Sequence, residues 1–160
     1  MATIVKKGYG QVEPNHLSAQ RNGQIYAQLP LDADIEKLEN GMFAHYDMAE
    51  GKVNLDGSGE AMLVYNEVKL YDERDTVADF YMEAGDVYPR LFKTNIGDIF
   101  TTNCLENASS TIVVGDGLEV NAAGYLEKPA SATDGAMTWE VVKITTMPDG
   151  KDAIKVQRIA

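Results

Sequence analysis

The chain has 160 residues, a hydrophobic share of 44 % and a formal net charge of -11. That length makes one domain the default, with a protruding arm or second lobe allowed, and the composition supports a buried core. Acidic residues run through the whole sequence, which argues against a phosphate-backbone footprint and predicts no direct nucleic-acid partner.

One cysteine excludes an internal disulfide and most zinc clusters. The opening MATIVKKGYGQ has no apolar run of signal-peptide length, and no stretch approaches a membrane span, so neither a leader nor membrane contact is expected.

In chain order, residues 1–24 are interrupted by Gly8, Gly10, Pro14 and Gly23, and only 3–5 are strand-like. They read as an irregular N-terminal arm or a frayed terminus. Residues 24–29, QIYAQL, alternate as a strand that Pro30 ends. The spacing predicts a short helix over 32–40, with Ile35 and Leu38 on one face, Asp32 or Asp34 as cap, and Gly41 just beyond. A strand over 42–48, a polar turn over 51–60 and a longer strand over 62–70 follow, with a bulge expected at Asn66 and Glu67. An acidic loop spans 71–79. Short strands at 80–83 and 87–93 flank Gly85 and Asp86, and a turn at Gly97 and Asp98 leads into IFTTNCL.

Polar residues 107–110 mark a boundary. Beyond them, Leu118, Val120, Tyr125 and Leu126 predict a hairpin closing at 121–124, and 139–146 with 153–159 predict another through Pro148, Asp149 and Gly150. The sum is a mainly β fold: a small antiparallel barrel or sandwich, with one short helix and the arm. Its stretches are 1–24, 25–106 with the helix near 32–40, and a hairpin module at 107–160 packed with the middle region.

Residues 54–59 imitate the start of a calcium loop, but Tyr65 stands where a bidentate carboxylate is needed, so a glycine-rich turn is the reading. His16, His45 and Cys104 lack metal or nucleophile spacing, and Cys104 reads as a small buried hydrophobe. Gly115, Asp116 and Gly117 lack the lysine and helix of a phosphate loop. Hence no catalytic residue, metal site or cofactor is expected, and the chain reads as a binding or structural module. Glu73, Asp75, Asp79 and Glu83 form an acidic run, a solvated face or a patch for a basic partner.

One further pattern, G-D-x-L-x-V-x-x-x-G-x-L-x-K, is matched by Gly115, Asp116, Leu118, Val120, Gly124, Leu126 and Lys128. An Ala- and Thr-containing link at 130–133 and two final strands follow it. This third of the chain resembles the head decoration, or cement, proteins of tailed bacteriophages. KLENGMFAHYD, at 37–47, is similar to phage structural proteins of that kind. The resemblance implies a nonenzymatic virion protein, assembled in the host cytoplasm. It would sit on the outer surface of the capsid as a homodimer or homotrimer and clamp neighbouring major capsid subunits. Val5, Tyr9 and Val12 on the arm and Asp72, Glu73 and Asp75 on the acidic loop are the expected capsid or subunit contacts. A tail-tube, head–tail joining or baseplate protein, and a module binding a glycan or protein on a host surface, are the alternatives.

Overall fold

The computed structural model describes residues 4, 6–18, 28–56, 59–85, 88–106 and 111–160. The longest strands form the hairpin of β9 (Thr138–Thr146) and β10 (Asp152–Arg158), joined by the expected turn, in which Gly150 N–H donates to Met147 O. Around it lie β1 (Val12–His16), β6 (Ile99–Thr102), β7 (Gly117–Val120) and β8 (Leu126–Glu127). They make a six-stranded sheet in the order β1-β6-β10-β9-β7-β8, antiparallel at every pairing. A smaller sheet takes β2 (Phe43–Asp47), β3 (Lys52–Asn54), β4 (Met62–Val64) and β5 (Leu91–Phe92) in the order β3-β2-β4-β5.

Strand alternation sorts the apolar residues onto faces. Lys143 pairs with Lys155 and Val141 with Val156, so Val142 is an extra residue. This bulge keeps Trp139, Val141 and then Ile144 on the same inner side despite the change of parity. Phe43 and Leu63 of the smaller sheet join that cluster with Phe100, Leu118, Leu126, Ile154 and Val156. Its aromatic centre is Trp139, whose ring centroid lies 4.9 Å from Phe100 and 5.7 Å from Phe43. Such pairs add about 0.5–1.5 kcal/mol to the area they bury. The opposite face of the smaller sheet offers Ala44, Val53, Met62, Val64 and Leu91 to a second cluster, closed by Leu31, Leu38, Phe80 and Met82 from the loops.

Neither sheet closes on itself, which corrects the barrel alternative: β1 and β8 end one sheet, β3 and β5 the other. The helix expected over 32–40 does not form. Leu38 exchanges backbone hydrogen bonds with Met82 at 2.9 and 2.8 Å, and Leu31 bridges Val53. Two helical turns are too short to compete with that pairing. Asp32 instead accepts the Asp34 N–H in a local turn, and a 3₁₀ turn occupies Val77–Asp79. The strand expected over 62–70 stops at Val64, where the Asn66 side chain replaces the ladder, so no bulge is needed there. The arm is also corrected: Val12–His16 pairs with β6, and Ile4 and Leu17 are core residues. Most of the strand expected at 24–29 lies outside the described residues.

The two sheets are also tied by backbone. Phe43 N–H donates to Gly124 O at 2.7 Å, while Gly124 itself sits at φ 82° in the β7–β8 turn. A Cβ there would come within 2.5 Å of Phe43 O. Gly124→Ala should therefore lower stability by about 2–4 kcal/mol, combining left-handed strain with overpacking. Urea unfolding checks it; a loss below about 1 kcal/mol would mean the join relaxes freely.

Candidate interaction surface

On the loop side of the smaller sheet, two buried amides set the backbone. Asn40 Oδ1 accepts Asn66 N–H at 2.8 Å and Asn40 Nδ2 donates to Asn66 O at 3.0 Å. Asn66 Oδ1 then accepts Arg90 N–H at 2.7 Å, and its Nδ2 donates to Tyr88 O at 3.3 Å. With Met82 held against Leu38, this fixes the backbone at Tyr81 and Tyr88, which line a cleft of about 660 Å³ together with Tyr71 and Asp75. Tyr71 is 94 % exposed and Tyr88 59 %, and Leu70 and Val77 nearby are exposed too. Apolar rings grouped on a surface in this way mark binding sites.

Tyr9 extends the surface. Its ring lies 4.5 Å from that of Tyr81, and its N–H donates to Ala78 O. Lys37 Nζ stands over both rings, 4.5 Å from the Tyr81 centroid and 5.1 Å from that of Tyr9, and donates to the Tyr9 hydroxyl at 2.6 Å. That hydrogen bond raises the Lys37 pKa, and the Glu83 carboxylate beside the Tyr81 hydroxyl raises the tyrosine's. Tyr9 and Asp75, expected contacts from distant parts of the chain, thus reach one surface through Tyr81. Val12 does not join them; it packs on the core from β1. Asp72 is engaged by Arg74 at 2.6 Å, which lowers its pKa, and Glu73 is exposed. Val5 lies outside the described residues.

The segment carrying Tyr9 is clamped rather than free. Buried Glu39 accepts Gly10 N–H and Lys6 Nζ at 2.6 Å through Oε2, and the Tyr125 hydroxyl at 2.9 Å through Oε1. Gly10 has no room for a side chain: a Cβ would lie 2.3 Å from Asn40 O and 2.6 Å from Cys104 Sγ. Burial, then the Glu39 charge, pushes the Cys104 thiol far up, so it stays a protonated apolar filler, as expected. The same two causes raise Tyr125. Glu39 lay within the predicted helix, and nothing in its local pattern distinguished it as a buried clamp.

The family-like motif is built into the body. Asp116 Oδ2 accepts Lys128 Nζ and Val113 N–H, each at 2.8 Å, and both hold its carboxyl below the usual range. Leu118 and Leu126 are fully buried, and Gly115 and Gly124 take positive φ in turns.

A larger open cleft of about 980 Å³ runs past His45, Asp56, Asp134 and Arg158. Its charges are partly committed: Glu60 accepts Arg158 at 2.6 Å and Lys93 at 3.2 Å. His45 Nδ1 and Asn54 Oδ1, on paired residues, are buried without a hydrogen-bond partner among the described residues. No group of three or more metal-ligating side chains gathers among the described residues, and Ser58 of the calcium-like turn lies outside them. No protein-family model, curated protein or solved structure matches this chain.

Two outcomes follow from the buried polar groups. Glu39→Gln removes the charge that Lys6 and Gly10 share, and should cost about 2 kcal/mol in urea unfolding; an unchanged midpoint would show the clamp to be idle. Burial lowers the His45 pKa from 6.5, against the pull of Asp56. The unfolded chain then takes up the proton first, so this contribution is whole above the unfolded value and declines as pH falls through it toward the folded one. Relative to the parent, His45→Gln should flatten the stability curve below about pH 6.5. Parallel curves would refute the assignment.

Proposed function

We propose that this chain is a structural virion protein of a tailed bacteriophage that binds the outside of an assembled capsid and stabilises contacts between major capsid subunits. Its work is binding rather than catalysis, as a homodimer or homotrimer on a two-layer β-sandwich body. The observation that carries the reading is the tyrosine cleft: exposed aromatic rings on a backbone held by buried amides, ringed by carboxylates. Tyrosine anchors on a preorganised face are what a protein interface uses. Support also comes from the last third of the chain, where the residues that resemble cement proteins close the body and leave the cleft to make contact. Repeated over a symmetric shell, even a modest interface of this kind resists outward pressure through avidity.

Mass photometry of the purified chain, alone and with empty mature capsids of its phage, tests this. Saturation is expected near the number of symmetry-related sites, with Tyr71→Ala/Tyr88→Ala losing about tenfold or more in affinity. Rings or tubes without capsid binding would replace the reading with a tail-tube subunit.

A further inference from the structure

We propose that the tyrosine cleft takes an arginine- or lysine-rich segment of a partner protein, with a cation seated on Tyr71 or Tyr88 and paired with Asp75. The inference rests on the reading of this cleft as the contact face and specifies the chemistry of its occupant.

Charge complementarity is the first argument. The cleft wall carries Glu67, Asp75, Asp79 and Glu83 against Lys69 and Arg90. Several of these are engaged within the chain: Arg90 stands 3.9 Å from Glu67, and Asp79 accepts the N–H and hydroxyl of Thr76. Asp75 is different. Its side chain has no hydrogen-bond or ion-pair partner among the described residues, and it lines the same cleft as the two most exposed tyrosines, Tyr71 and Tyr88. A carboxylate that shares a cleft with exposed rings offers a cation both charge and the ring quadrupole.

The protein already contains such a pairing. Lys37 Nζ sits on the Tyr9 and Tyr81 rings, with Glu83 adding its charge. Tyr81 also lines the cleft, so this internal cation–ring pairing adjoins the cleft that Tyr71, Tyr88 and Asp75 line. The backbone at Tyr88 and Arg90 is set in advance by the Asn40–Asn66 pair, so seating a segment need not order that part of the cleft.

Fluorescence anisotropy with the full chain and a labelled peptide of alternating arginine and serine is the test, with the matching glutamate peptide as control. The arginine peptide should bind, weaken with added salt, and lose about tenfold or more in affinity with Tyr71→Ala or Asp75→Asn. Tyr71→Phe should retain binding, because it keeps the ring, and Asp134→Asn in the other cleft should leave it unchanged. Equal losses with Asp134→Asn and Asp75→Asn would overturn the proposal in favour of diffuse attraction to an acidic protein. No arginine-peptide binding, with Tyr71-dependent binding on a glycan array instead, would overturn it in favour of a sugar. Arginine-peptide binding lost with Tyr71→Ala while capsid binding persists would uphold this occupant and remove the cleft from the capsid contact.

Discussion

Phe43 is held from two directions, and the remainder of the structure follows from it. Its ring packs against Trp139 and Phe100, the aromatic centre of the larger sheet, while its N–H is bound by Gly124 O from the β7–β8 turn. Side chain and backbone therefore register the smaller sheet against the larger one independently. With Phe43 turned inward, strand alternation turns Ala44 outward into the second cluster, and that cluster needs the loops at 29–38 and 80–82 to cover it.

The residues just before Phe43 carry the consequence outward. Glu39 and Asn40 are buried polar side chains, and a buried polar group must find partners within the protein. Glu39 finds Lys6, Gly10 and Tyr125, fastening the N-terminal segment; Asn40 finds the backbone of Asn66, whose own amide fastens Tyr88 and Arg90. The cleft thus has a physical lineage running from the aromatic core through two adjacent polar residues. Tyr71 and Tyr88 are exposed, yet the backbone at Tyr81 and Tyr88 is held by hydrogen bonds.

Charge is distributed unevenly with respect to that lineage. Some carboxylates that hold structure are matched by cations, as with Asp116 and Lys128 or Glu60 with Arg158 and Lys93. Around Tyr71, Asp75 is left for solvent or a partner. A net charge of -11 sets the surface as a whole against phosphates. The Asp72–Arg74 pair is an exposed local pair, which contributes little energy.

The sequence by itself determined the mainly β character, the closing hairpins and their turns, because strand alternation and turn chemistry are local properties. It also determined that Cys104 is filler, since an isolated thiol in an apolar run has little else to do. Only the tertiary structure decided the fate of 32–40, where a plausible helix was displaced by backbone pairing with Met82 across a long loop. It likewise decided that Val12–His16 is a sheet edge and not an arm, and that Gly10 is there for close packing rather than flexibility. The surface that joins Tyr9, Lys37, Tyr81 and Asp75 belongs to the same class. Its members are brought together by pairing and burial between residues far apart in the chain, and no local pattern records such contacts.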